Sequence, residues 1–309
     1  MNQTNDLTII GGGPAGVAAA VYASRKRLKT IFIAKEWGGQ SIVSDGIENW
    51  IGTVKIPGSD LAKQFESHVR AYAGDIVSIK VPEEVVEIKK DGDNFTVKTD
   101  KDTYTSKTIL IATGSHRRKL QVPGAERLEH RGITYCASCD GPLFSDMDVA
   151  VIGGGNAGFE SAAQLLAYTK SVTLLNRRDQ FKADPITVKK VLQDPKMRAI
   201  TNAELLEIKG DKFVEGLTYK DVESGEIKEL TVKGIFAEIG SIPTSGFVED
   251  LVELDEYKRI KIDPWTQKTN LEGLWAAGDC TNIRYHQNNI AAGDAVRALE
   301  DIYVYLKAR

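Results

Sequence analysis

Short runs of branched apolar residues, each meeting glycine at once, set the pattern of this chain. Leu7-Thr8-Ile9-Ile10 is a β-prone run that enters Gly11-Gly12-Gly13-Pro14-Ala15-Gly16, and Ala15 to Ser24 then carries the alanine-rich pattern of a helix. Thr30 to Ala34 supplies the next buried strand at the spacing that a strand, helix, strand unit requires. The series restarts further on. Asp148 to Ile152 reads as a strand, Gly153-Gly154-Gly155-Asn156-Ala157-Gly158 as a tight turn, Phe159 to Tyr168 as a helix and Ser171 to Leu175 as the next strand. Such a recurrence predicts an internal duplication of one module. Between the copies, Val85 to Ala112 breaks into short alternating segments around Asp91-Gly92-Asp93-Asn94, predicting a small hairpin layer on the side of the first module. Val214 to Val232 alternates as a second hairpin about Glu223-Ser224-Gly225. Ile235 to Ile239 then leads into Gly240-Ser241-Ile242-Pro243-Thr244, a crossing back. Leu274 to Ala277 is the last β-run. It closes on Gly278-Asp279 ahead of a helix over Ala291 to Leu306.

Both turns spell G-x-G-x-x-G. The first glycine makes the bend, the second lets a pyrophosphate approach the backbone, and the third lets helix pack on strand. In the first module an acidic residue is expected about twenty positions on, to hold a ribose hydroxyl. Glu36 is the nearest, although it lies past the strand end with Lys35 intervening. In the second module Asn176-Arg177-Arg178, with Lys182 beyond, stand where that acid would be. Guanidinium groups there suit a 2′-phosphate and favour NADPH over NADH, the alternative being a solvated basic turn. Asp279, between a strand and a helix, places a carboxylate beside a phosphate-bearing ligand or serves as a turn residue.

Cys136-Ala137-Ser138-Cys139-Asp140 precedes the second turn. Two cysteines so spaced can close a small disulfide ring, and a cysteine near a helix N-terminus has a lowered pKa. Half of a zinc site is the rival reading, but no second pair of ligands is in view. Cys280 and the histidines (His68, His116, His130, His286) are scattered singly, so no metal is expected. A dithiol joined to two nucleotide sites reads as a redox relay.

Composition narrows the setting. A chain of 309 residues can hold two domains, or one interrupted by another, and 42% hydrophobic with 27% charged residues is an ordinary globular composition. A net charge of −3 gives no electrostatic reason to expect nucleic acid or an anionic membrane as partner. Met1 to Asp6 lacks the basic and apolar regions of a signal peptide, and no run approaches a spanning helix, so a cytoplasmic protein is expected. Three cysteines are too few for a structural disulfide framework, and a catalytic pair suits a reducing compartment.

With these residues assembled, the chain resembles the low-molecular-weight thioredoxin reductase family of flavoenzymes and the closely similar flavoprotein part of alkyl hydroperoxide reductase. The resemblance covers essentially the whole length. It is carried by Gly11 to Gly16, Gly38-Gly39-Gln40, Glu48-Asn49-Trp50, Ala112-Thr113-Gly114, Cys136 to Gly141, Gly153 to Gly158, Ala276 to Asp279 and Gln287. It implies an α/β fold of two Rossmann-like, three-layer ββα nucleotide-binding domains. The NAD(P)H domain, 119–244, carries the dithiol and is inserted into a discontinuous FAD domain, 1–118 and 245–309. FAD contacts are implied at Gly11, Gly13, Pro14, Ala15, Gly16, Glu36, Gly39, Gln40, Asn49, Ala112, Thr113, Gly114, Gly278, Asp279 and Gln287. For Gln40, Asn49, Thr113 and Gln287, capping of local turns is the alternative role. NADPH, with NADH as the other candidate, is implied at Gly153, Gly155, Asn156, Ala157, Gly158, Arg177, Arg178, Lys182 and Gly240.

The implied reaction passes electrons from NADPH through FAD and a Cys136–Cys139 disulfide to thioredoxin or another small redoxin. In this scheme Cys139 faces the flavin, Cys136 attacks the protein substrate, and Asp140 is the general acid for the departing thiolate. The resemblance also implies a homodimer, and rotation of the inserted domain on segments near His116 to Leu120 and Ile242 to Gly246. Some residues depart from the family pattern. Asn176 stands where a histidine is common and Lys182 where an arginine is common, and lysine lacks the planar fork for phosphate. Tyr135 to Phe144, with Cys280 after Gly278-Asp279, is closer to the hydroperoxide reductase flavoproteins, which carry an extra N-terminal thioredoxin-like module. This chain opens on the FAD strand, so a separate redoxin is expected to take the electrons. Cys280 is expected to be a buried free thiol. Two alternatives stay open: the same scaffold fed by NADH or reduced ferredoxin or acting as a dithiol oxidase, and a non-catalytic redox-sensing flavoprotein.

Overall fold

The computed structural model describes residues 4–44 and 46–308, which form two compact units, Met1–His116 with Ile242–Arg309 and Arg117–Ser241. In the first, β1 (Asn5–Ile10) runs parallel to β2 (Thr30–Ile33) on one side and β6 (Thr103–Ile111) on the other. Between β1 and β2 lies α1 (Pro14–Arg25), opened by a proline that needs no N–H partner at that position. The helix α2 (Gly58–Ala73) leads to β3 (Val77–Lys80), which adds to β2. The hairpin of β4 (Val85–Asp91) and β5 (Asn94–Thr99) extends the same sheet from β6, giving the order β3-β2-β1-β6-β5-β4, and β17 (Leu274–Ala276) also pairs with β6.

The expected hairpin layer is therefore not separate. β6 is shared: its first part pairs antiparallel with β5 up to Ser106, and Ile109 to Ile111 pair parallel with β17. The sequence TYTSKTILI changes from alternation to a continuous apolar run at that handover, because only the second part is buried on both faces.

Side chains alternate across this sheet. Leu7, Ile9, Phe32 and Trp275 face a core shared with the alanines of α1 and of α6 (Asn288–Lys307), while Ile10, Ile31, Ile33 and Ile111 face a second core with Phe95 and Cys280. Small residues let α1 and α6 pack closely: Ala19, Ala20 and Ala23 on one, Ala295 and Ala298 on the other, all buried.

The second unit centres on β9 (Asp148–Ile152). A parallel sheet runs in the order β11 (Met197–Ile200), β10 (Ser171–Leu175), β9, β15 (Gly234–Ala237), β8 (Ile133–Thr134). One face packs on α4 (Asn156–Leu165) through Phe159, Ala162 and Leu165, with α5 (Pro185–Val191) alongside, and the single turn α3 (Ala137–Asp140) follows β8. The other face is covered by an antiparallel sheet of β12 (Ala203–Lys209), β13 (Gly216–Asp221) and β14 (Ile227–Leu230), with Ile208, Leu217 and Tyr219 on Ile133, Ala150 and Ile235. The hairpin of β13 and β14 was expected. β12 was not, because a register shift between Leu205 and Glu207 breaks its alternation.

Each unit thus has the α/β, Rossmann-like organisation that the duplicated pattern predicts. The chain passes between units through β7 (Ser115–Arg117) and β16 (Ser241–Pro243). The breaks at 116/117 and 241/242 lie inside these strands, slightly ahead of the expected 118/119 and 244/245. Among the described residues no helix is long and apolar enough to cross a membrane.

One buried carboxyl makes the stability of the first unit pH-dependent. Asp294 on α6 is 5% exposed. One oxygen meets Arg297 Nη1 at 3.1 Å, and the other has no hydrogen-bond partner among the described residues. Burial raises its pKa against the pull of Arg297. The unfolded chain therefore ionises first as pH rises past its own carboxylate range, and stability is lost from there upward. Asp294→Asn is expected to raise the melting temperature at pH 7 by about 2 °C, corresponding to about 1 kcal/mol in a chain of this size. Thermal unfolding followed from pH 7 to pH 4 should show that advantage shrink.

Candidate functional site

The end of β1 forces glycine. Gly11 has φ +125°, and a Cβ there would lie 2.1 Å from the Ala112 carbonyl oxygen beyond β6. Gly16 sits below, where a Cβ would lie 1.8 Å from the Gly11 carbonyl oxygen, so α1 is drawn tightly against the turn. No side chain caps α1 at Gly13, and its first N–H groups open toward a cavity of about 530 Å³. That volume suits an organic cofactor. The walls include Gly11, Gly13, Pro14 and Ala15 from the turn, then Glu36, Gly39 and Gln40 past β2. Ala112, Thr113 and Gly114 beyond β6, and Gly278 and Asp279 beyond β17, complete the predicted residues that line it.

Gly16 packs beneath the turn rather than in the wall. Asn49 and Gln287 are brought together elsewhere: Asn49 Nδ2 donates to Gln287 Oε1 at 3.0 Å, and Asn289 Nδ2 donates to the Asn49 carbonyl at 2.6 Å. They tie the loop after Gly39 to the start of α6. Thr113 Oγ1 lies in the wall and also donates to the Thr244 carbonyl at 2.6 Å. Sequence reasoning missed Ser41, Glu83, Glu84 and Asn288 in the wall. Glu83 and Glu84 lie beyond the carboxyl end of β3, where ligands of open parallel sheets bind, and that rule was the available signal. Glu83 is buried and accepts from Thr99 Oγ1 at 2.6 Å and from Tyr104 at 2.8 Å.

In the second unit the same construction recurs. Gly153 has φ +131° and no room for a Cβ beside the Glu238 carbonyl oxygen, at 2.2 Å, and Gly158 closes on the Gly153 carbonyl oxygen at 1.9 Å. Gly155 precedes α4 without a side-chain cap, Asn156 and Ala157 start the helix, and Gly240 bends the chain beyond β15 with φ +103°. The loop after β10 is anchored to this turn. Asn176, nearly buried, donates through Nδ2 to the Arg178 and Gln180 carbonyls at 2.9 Å, and Lys182 N–H donates to the Gly154 carbonyl at 2.8 Å. Asn156 Oδ1 accepts from Asp184 N–H at 2.7 Å. Arg177, Arg178 and Lys182 are left exposed on a fixed backbone. Glu238, 6% exposed at its side chain, was not foreseen. Its carboxyl accepts from Ser161 Oγ at 2.6 Å and lies 3.9 Å from Arg117, and burial raises its pKa against both.

Cys136 and Cys139 are joined as a disulfide across 5.3 Å between Cα atoms. Cys136 caps the turn α3, and its Sγ accepts the Cys139 N–H at 3.2 Å. A donor aimed at the sulfur favours the thiolate once the bond opens. Asp140 follows directly, and one of its oxygens accepts the hydroxyl of Thr134, a residue the sequence reading did not single out. Cys280 is a fully buried free thiol, as expected, pushed up to about 11 by burial.

Residues 5–295 match the family model for pyridine nucleotide-disulphide oxidoreductase. The chain is 37% identical over 301 residues to a Bacillus subtilis protein named NADH dehydrogenase, covering 97% of this chain and 58% of that one. It is likewise 37% identical over 303 residues to a subunit of alkyl hydroperoxide reductase from Escherichia coli, again covering 97% and 58%. The chain therefore spans little more than half the length of these curated relatives. A solved thioredoxin reductase from Streptococcus pyogenes is 34% identical, with TM-score 0.89 and 100% of both chains covered.

The contrast between the sulfurs gives an expected labelling pattern. After mild reduction, iodoacetamide at pH 8 should modify Cys136 and Cys139 in the folded protein and reach Cys280 only after denaturation. Peptide mass spectrometry checks this, and early labelling of Cys280 would contradict its sealed environment.

Proposed function

Because the chain belongs to the pyridine nucleotide-disulphide oxidoreductase family, whose members use flavin and nicotinamide cofactors, we propose that it is a thioredoxin-disulfide reductase. In this reading electrons enter from NADPH, pass through FAD, open the Cys136–Cys139 disulfide and leave to thioredoxin or a similar small redoxin. The observation that carries the reading is the disulfide itself, with a carboxyl next to it, in a chain that builds two glycine-turn nucleotide modules. The first cradle fits a dinucleotide. Its glycines leave space for a pyrophosphate against the uncapped N–H groups of α1, with Glu36 past β2 available to a ribose and Asp279 and Gln40 also in the walls.

FAD bound there would supply two-electron chemistry between nicotinamide and disulfide. The protein's own task is proton and thiolate control. Opening the disulfide takes two electrons and breaks one S–S bond, leaving two thiolates, and each proton taken up converts one of them to a thiol. We assign Asp140 as the acid that protonates one of them, Cys139 as the flavin-side sulfur, and Cys136 as the nucleophile toward the substrate disulfide. The Cys139 N–H aimed at Cys136 Sγ supports that division, since it favours the thiolate on Cys136. A homodimer working in the cytoplasm completes the proposal.

A second reading has NADH as the donor. It draws support from the relative named NADH dehydrogenase and from Lys182, a point charge without the arginine fork. Anaerobic titration of the yellow protein with each nucleotide, following flavin absorbance, separates the two. Bleaching at low NADPH concentration is the expected outcome, and failure with both nucleotides while dithionite still bleaches would overturn the donor assignment. In the double variant Arg177→Ala/Arg178→Ala, KM for NADPH is expected to rise roughly 10- to 100-fold, the worth of one or two charge-assisted hydrogen bonds, with KM for NADH nearly unchanged.

A further inference from the structure

Thr134 is 7% exposed at the end of β8, two residues ahead of the first cysteine. Its hydroxyl faces two groups of the redox turn: Oγ1 donates to Asp140 Oδ2 and accepts the Cys136 N–H at 3.4 Å. A buried β-strand residue thereby fixes the carboxyl and the backbone of the first cysteine together. Resting on the reading of Asp140 as the acid of disulfide opening, we propose that Thr134 is its positioning residue. It holds Oδ2 so that Oδ1 carries the transferable proton, and it stabilises the carboxylate left after transfer.

The chemistry favours this division. When the Cys136–Cys139 bond opens, the departing thiolate takes a proton from the Asp140 carboxyl, forming S–H and leaving a carboxylate. A hydroxyl already donating to Oδ2 stabilises that product charge without any movement, and a hydrogen bond to the charged form lowers the group's pKa. Ionisable groups around the turn among the described residues include Glu160 of α4, on which α3 packs, Tyr168 beside Gly141, Tyr135 next to Cys136, and the two cysteines. Valine fits the strand and keeps the branched shape but loses the donor.

The test follows opening of the disulfide in the purified protein by excess dithiothreitol. One dithiothreitol thiolate attacks a cysteine sulfur, its second thiol closes the ring, and two electrons pass to the protein, whose freed thiols are trapped by alkylation and counted by mass spectrometry. Rates from pH 5 to pH 8 are expressed as the ratio of variant to parent, so the ionisation of the reagent cancels. In Thr134→Val the acid form of Asp140 should persist to higher pH. The ratio is then expected to climb with pH by about three- to tenfold, the effect of one charge-assisted hydrogen bond, whatever its starting value. Thr134→Ser should track the parent at every pH. A Thr134→Val ratio that stays flat with pH overturns the proposal, since loss of packing alone has no pH signature. Thr134→Ala replaces the valine variant, with the same expectation, if valine prevents folding. Asp140→Asn separates the underlying reading: its ratio should be lowest at acid pH and approach unity at alkaline pH. If that ratio is flat, Asp140 is not the acid and the role of Thr134 falls with it; if it varies while Thr134→Val is flat, only Thr134 is misassigned.

Discussion

Everything in this protein depends on two places where one strand's end comes too close to another for a side chain to fit. Gly11 and Ala112 stand one residue beyond the paired ends of β1 and β6, as Gly153 and Glu238 do beyond β9 and β15. In both, a carbonyl oxygen fills the space that a Cβ would need, and the third glycine of the turn closes on the first. Parallel strands must then end together, the following helix must start at once, and its first N–H groups must face outward at the crevice. A cofactor cradle is the by-product of that close approach. A methyl group at either first glycine would push the strand ends apart and disturb register, helix and cradle together.

The same constraint explains what could be read from the sequence. A positive φ and a missing Cβ are properties of a single residue, so both turns, their strands and their helices were legible as patterns, and so was the dithiol. Other parts depend on partners distant in the chain. Glu83 and Glu84 gain their place in the cavity wall only because β3 lies beside β2. Asn49 and Gln287 find each other across the span from the first module to α6, a meeting that no local pattern announces. β6 gave a mixed signal, alternation followed by a continuous run, because it serves two kinds of sheet at once. Thr134 carried no signal of its own, being an ordinary strand residue until the turn after it brings Asp140 back onto its hydroxyl.

The loop after β10 illustrates how binding specificity can be separated from folding. Asn176 donates its amide to two carbonyls of the loop, and Lys182 returns through its backbone to Gly154, so the backbone is determined by hydrogen bonds that involve no guanidinium. Arg177, Arg178 and the Lys182 side chain can then answer to a ligand without the entropic cost of ordering the chain that bears them, which is where preorganisation gains affinity. On the proposed reading, their replacement alters nucleotide preference while leaving the module intact.

Reactivity among the sulfurs is likewise set by surroundings rather than by the net charge of the protein. Cys280 lies in the core below the first cradle, where the Ile111 and Ala277 carbonyls receive its S–H, and burial makes its thiolate costly despite hydrogen bonding from Gly114 and Thr113. Cys136 has the opposite situation: a partly exposed position and a backbone donor aimed at its sulfur. On the proposed assignment of Cys136 as the nucleophile, a single helical turn thus sets it apart from a structural thiol. Asp140 completes that turn, and in the proposed reaction its carboxyl, held by the strand hydroxyl behind it, meets the departing thiolate. On that proposal, selection of the reactive sulfur and delivery of a proton are properties of one local structure, built on β8 and finished within the four residues that follow Cys136.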